Sequence, residues 1–200
     1  MNTSTKMIVV LTVIAVLSGG ILSIWDSVTA PRIEENRLKV LNLAIAKVLP
    51  TFDTKIEKEV EVTIKGEVVS AILYIGHDTE NQPVGIAFKW KGNGFSPDLA
   101  LMVGVTPDFS QIRGIEILEH KETPGLGDKI EYQWKDQYKK IRFTNKLAIE
   151  VIKYRKPDDP TSQIQAISGA TISSKAVTDI ILDGIKNIRD AYQNKGESNG

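Results

Sequence analysis

Ser168-Gly169-Ala170-Thr171, continued by Ile172-Ser173-Ser174-Lys175, sets a hydroxyl among residues too small to crowd it. Gly169 permits a tight turn and Ala170 adds almost no bulk, so the Thr171 hydroxyl stands clear of its neighbours. Downstream, Val177, Ile180, Ile181, Ile185, Ile188 and Tyr192 recur at roughly helical spacing, which predicts a helix opening near Thr171. The unpaired amides of a first turn, the helix dipole and the Ser173 and Ser174 hydroxyls together make a place for a phosphate, which Thr171 can carry as an ester. No histidine or carboxylate adjoins Thr171 in sequence to activate it, so any attachment is the work of another enzyme. The same residues also suit a plain N-cap, in which Ser168 or Thr171 satisfies the first helical amides.

A second group, His120-Lys121-Glu122-Thr123-Pro124-Gly125-Leu126-Gly127-Asp128, follows the apolar run at 112–118. Pro124 and the two glycines predict a tight loop leaving a strand, with backbone amides available to a planar or anionic ligand; a simple turn is the other reading.

Positioning these groups requires a scaffold. Segments 60–64, 68–75, 84–90, 99–105 and 112–118 are rich in β-branched and aromatic residues and separated by Gly, Asn, Asp and Pro, and their close succession predicts an antiparallel sheet. Trp134 and Tyr138 share a face of a short helix, with core packing as their default role. Residues 147–154 read as a further strand, 157–162 as a polar loop and 194–200 as a frayed tail. Ahead of the sheet, residues 33–49 place Leu38, Leu41, Ala44, Ile45 and Val48 on one face of an amphipathic helix ended by Pro50.

Residues 7–25 are apolar or small and uncharged, and as a helix would extend about 28 Å, close to the hydrocarbon thickness of a bilayer. Lys6 before this stretch and Trp25 at its far edge suggest a cytoplasmic N-terminus with the rest outside the cytoplasm. Val28-Thr29-Ala30 resembles a signal-peptide cleavage site, but the apolar run is long for a signal core and Pro31 follows, so retention as an anchor is the favoured reading.

The 25 basic and 25 acidic residues cancel, and without a strongly basic, aromatic-interleaved patch no nucleic-acid partner is expected; the cluster at 153–156 reads as solvated surface. Cysteine is absent, which excludes disulfides, thiolate metal sites and cysteine-ligated iron–sulfur clusters. His77 and His120 lie far apart without zinc-motif spacing and read as strand-end surface residues, so no metal site is expected. No dinucleotide fingerprint, phosphate-binding P-loop or serine–histidine–aspartate set is evident.

The loop at 120–128 and the motif at 168–171, in this order and followed by a C-terminal helix, resemble the FMN-binding domain of the G subunit of Rnf (Rsx) electron-transport complexes. A relative of that family is the C subunit of the sodium-translocating NADH:quinone reductase. The resemblance extends to Gly92-Asn93-Gly94-Phe95, to Trp134 with Tyr138, and to residues 31–36; Gln165 departs from the aspartate common three residues before the serine. It implies FMN joined through its phosphate to Thr171 by a flavin transferase that uses FAD, with Glu122, Thr123, Gly125, Leu126 and Gly127 beside the flavin. Ser168, Gly169 and Ala170 complete the attachment motif.

The expected class is thus α+β: an N-terminal transmembrane helix followed by one FMN-binding domain with a mainly antiparallel sheet and flanking helices. The expected divisions are a cytoplasmic N-terminus (1–6), a transmembrane helix (7–25), a linker and amphipathic helix (26–50), the FMN-binding domain (51–193) and a tail (194–200). The implied function is electron relay in the cytoplasmic membrane, within an ion-translocating ferredoxin:NAD oxidoreductase whose partners are other membrane and iron–sulfur subunits. Thr171 is there an attachment point, with no catalytic acid or base supplied by the chain. The C subunit of a quinone reductase and a non-redox membrane assembly module are the alternatives.

Overall fold

Five strands run in order of sequence across one antiparallel sheet in the computed structural model: β1 (Thr54–Ile64), β2 (Glu67–His77), β3 (Pro83–Gly92), β4 (Leu99–Val105) and β5 (Ile112–Glu119). The structure describes residues 2–197 except 50, 65, 96 and 145. A helix, α1 (Thr3–Val48), precedes the sheet. After β5 come two 3-10 helices, Gly127–Glu131 and Gln133–Lys140, then β6 (Glu150–Ile152), β7 (Gln163–Gln165) and α2 (Thr171–Glu197).

Every residue of β4 is buried, because both faces of the sheet are covered at this strand. Leu99, Leu101, Val103 and Val105 point into the main core, where Val177, Ile181, Ile185 and Ile188 of α2 are fully buried. Full burial of such a side chain contributes about 1.5–3 kcal/mol. Helix α2 lies close against β3 because Gly92 and Gly184 leave room: a Cβ on Gly184 would fall 2.9 Å from Phe88 and Trp90, and one on Gly92 would fall 2.5 Å from Ile180. Tyr192 rests against Phe109 with ring centroids 5.9 Å apart.

On the other face, Gly104 and Gly114 are register partners, and the last turn of α1 sits on them. A Cβ on Gly104 would lie 2.2 Å from the Val48 carbonyl oxygen. Ala44, Ile45, Val48 and Leu49 are buried, and the second compact unit runs from Leu43. Leu41 is partly buried and Leu38 is exposed.

Three local expectations differ from the structure. Helix α1 runs unbroken through residues 26–30 and carries Pro31 inside it, where a linker was expected. Proline there forfeits one backbone hydrogen bond, and the Ser27 and Thr29 hydroxyls donate back to the carbonyls of Ile24 and Trp25, as helical serine and threonine do. Pro50, the expected terminator, lies outside the described residues. The strand expected at 147–154 shortens to β6, which pairs in parallel with β7, a strand that polar residues concealed. Helix α2 continues to Glu197, through most of the expected tail; residues 198–200 lie outside the described residues.

Trp134 and Tyr138 fall on the second 3-10 helix and meet edge to face at 5.6 Å, with Tyr138 wholly buried. Its hydroxyl bonds Thr178 Oγ1 at 2.7 Å, and burial pushes the phenol well above its ordinary pKa, so it stays protonated.

Candidate functional site

The short strand β7 delivers the chain to α2 through a turn that few sequences allow. Ala166 donates to the Ile152 carbonyl of β6 at 2.8 Å, and Gly169 then adopts φ +81°, a left-handed conformation where side chains are strained. Ala170 donates to the Ile167 carbonyl, and α2 begins at Thr171. Ser174 is fully buried: its hydroxyl accepts from the Ile167 amide and donates to the Ala170 carbonyl, both at 3.0 Å. It therefore braces the turn from inside and forms no part of the cleft wall, where it was expected beside a phosphate.

Neither Ser168 nor Thr171 makes a side-chain hydrogen bond among the described residues, so neither acts as the N-cap that the sequence also allowed. The amides of Thr171, Ile172 and Ser173 have no carbonyl partner among the described residues. A half-buried threonine hydroxyl and open first-turn amides thus share one wall of a cleft of about 630 Å³. Ser168, Gly169 and Ala170 lie in the same wall.

Residues 120–128 also line the cleft through Glu122, Thr123, Leu126 and Gly127, while Gly125, at φ +78°, is exposed and outside it. Three of the loop's amides, expected to be available to a ligand, are taken up inside it: those of Leu126, Gly127 and Asp128 all turn back to the Thr123 carbonyl, at 3.1–3.4 Å. His120 shapes the loop's start. Its Nδ1 accepts the Glu122 amide at 3.1 Å, which leaves the proton on Nε2, 2.9 Å from Glu131. This histidine is mostly buried, not the surface residue expected, and among the described residues no cluster suited to a metal exists.

Glu122 ties the walls together. Its Oε1 accepts the Phe95 amide at 3.0 Å and its Oε2 accepts the Ser173 hydroxyl at 2.7 Å. Gly94 and Gly127 make room for the carboxylate, since a Cβ on either would lie 2.2 or 2.6 Å from its oxygens. Ser173 is therefore held by Glu122 rather than left as a donor for a phosphate. Among the described residues that line the cleft, Lys153 is the only cation.

Residues 94–186 match the family model described as FMN-binding domain. Across nearly the whole chain the protein is 34% identical to the G subunit of the Na(+)-translocating ferredoxin:NAD(+) oxidoreductase complex of Acetobacterium woodii, covering 94% of this chain and 91% of that one. This chain belongs to the family of G subunits of ion-translocating oxidoreductase complexes. The family member of Methanosarcina acetivorans is 28% identical, over 90% of this chain and 92% of its own. The fold is shared with NqrC of Shewanella oneidensis, at TM-score 0.54 and 22% identity over 68% of this chain and 65% of that one. It is also shared with the C subunit of the Na(+)-translocating NADH-quinone reductase of Parabacteroides distasonis, at TM-score 0.55 and 19% identity over 76% and 92%.

In this member of the G-subunit family, sequence reasoning missed Lys153 and Tyr154 as cleft residues. Residues 153–156 look like a solvated cluster until the parallel β6–β7 pairing brings their leading end beside Ala166 and Ile167. Gln165 also lines the cleft; its backbone is held by Gln137 and by the Trp134 indole, which donates to its carbonyl at 2.6 Å.

Proposed function

We propose that this chain is an electron-transfer component of a membrane-bound ion-translocating ferredoxin:NAD oxidoreductase, carrying FMN as a phosphoester on Thr171. The observation that carries this reading is the Thr171 hydroxyl, unbonded among the described residues, beside three helix-start amides equally open among them, in a cleft of flavin-compatible size. The residues present fit the group: the amides and Lys153 suit its phosphate, and Leu126 and Phe95 offer apolar surface to its ring system. FMN, when bound, supplies the redox chemistry; the protein holds and orients it.

Attachment balances as a transfer: the Thr171 oxygen displaces AMP from FAD, forming one phosphoester, breaking the pyrophosphate bond and releasing the hydroxyl proton. Glu122, the carboxylate among the described lining residues, is engaged by Phe95 and Ser173 and so is not free to act as the base. A flavin transferase supplies it instead. Fixing the cofactor prevents its loss outside the cytoplasm and keeps its ring in register with the neighbouring proteins of the complex. Those neighbours include the iron–sulfur proteins that a cysteine-free chain cannot replace.

The segment of α1 with mean hydropathy 2.6 is long and apolar enough to cross a membrane, which supports a membrane anchor. The FMN domain lies on the extracytoplasmic side, as Lys6 before the span and Trp25 at its edge favour.

Membranes holding the complete complex with Thr171→Ala test the relay. Ferredoxin-dependent NAD+ reduction is expected to disappear while the complex keeps all its components. A full rate in the variant would contradict it.

A further inference from the structure

The cleft has a third side that neither the attachment motif nor the Glu122 loop provides. Lys153 leaves β6 one residue beyond the Ile152 carbonyl that holds Ala166, which sets it beside the 168–171 turn. It makes no ion pair among the described residues. Tyr154 follows at the mouth of the cleft, 95% exposed, at φ +63°. Left-handed backbone is rare and strained for a bulky residue. Here nothing in the fold rewards it, because among the described residues the Tyr154 side chain has no hydrogen bond or ring contact.

The loop's far end is differently built. Arg155 pairs with Asp158, and Asp159 accepts from the Thr161 amide and from the Thr161 and Ser162 hydroxyls. A tied base therefore supports an untied pair, one cation and one aromatic ring, presented at the cleft.

Resting on the FMN reading above, we infer that Lys153 and Tyr154 form a two-part clamp on the flavin, the Lys153 ammonium pairing with the phosphate and the Tyr154 ring covering the isoalloxazine. The strained backbone of Tyr154 then serves the ligand and not the fold.

Binding of free FMN and of riboflavin, which lacks the phosphate, separates the two parts. Full-length protein in detergent, made without flavin transferase, is titrated with each by flavin fluorescence. Lys153→Met should raise the Kd for FMN about fivefold and leave riboflavin unchanged, with Lys153→Arg restoring the preference. Tyr154→Leu should weaken both ligands about threefold, and Tyr154→Phe should not. Tyr154→Gly relieves the left-handed strain, so it should fold at least as stably as the parent while sharing the binding loss. No measurable binding of either flavin, or variants that titrate like the parent, would overturn the clamp. Loading by the transferase, read in parallel by mass, keeps the failures apart: a parent that never gains FMN defeats the proposed function, whereas a loaded parent with flat titrations defeats the clamp alone.

Discussion

Glu122 receives the Phe95 amide on one oxygen and the Ser173 hydroxyl on the other, so a single carboxylate joins the β3–β4 loop, the 120–128 loop and the first turn of α2. Hydrogen bonds to a charged acceptor are worth about 1.5–3 kcal/mol, and donors left unpaired in a buried place are penalised. Glu122→Ala should therefore lower unfolding free energy by about 1–3 kcal/mol and reduce FMN loading, while Glu122→Gln, which keeps an acceptor oxygen, should lose less. Denaturant titration and loading stoichiometry measure both; an Ala variant as stable and as fully loaded as the parent would remove Glu122 from this role. The sequence revealed the residue through its loop, but its task depends on Gly94 and Gly127 lying against it, a proximity no local pattern encodes.

Where elements meet, Glu116 of β5 is the clearest joint, accepting from Lys47 near the end of α1 and from Lys135 of the second 3-10 helix, both at 2.8 Å. Burial alone would raise its pKa, but hydrogen bonds from Lys135 and Lys47 outweigh it, and the carboxyl sits below the ordinary glutamate value of 4.5. A depressed carboxylate stabilises the fold fully above its unfolded pKa and loses that contribution as pH falls through the folded value. Glu116→Gln should therefore lower the melting temperature at pH 7, with the gap to the parent closing as pH falls below about 4.5. A gap that stays constant through that range would exclude the linkage. The five strands and α2 were legible because their apolar periodicities span many residues, as Val177 to Ile188 illustrate. Strand β7 was not: three residues, two of them glutamine, become a strand only by pairing with β6. For the same reason Lys153 and Tyr154 read as surface. The linker expected after residue 25 gave way to a continuous helix that carries Pro31 within it.

For the whole molecule, the side of the membrane is the open geometric consequence of the proposal. The chain contains no cysteine, so Lys129→Cys at an exposed position gives a single reactive thiol. A membrane-impermeant maleimide should label it in intact cells. Labelling only after permeabilisation would place the domain in the cytoplasm instead. The cofactor itself is decided by mass. Full-length protein made with and without a flavin transferase, beside Thr171→Ala, is weighed intact after export. A gain equal to FMN less one water is expected, dependent on the transferase and absent from the variant. No gain from a correctly exported protein in the presence of an active transferase, or an equal gain in Thr171→Ala, would contradict Thr171 as the carrier.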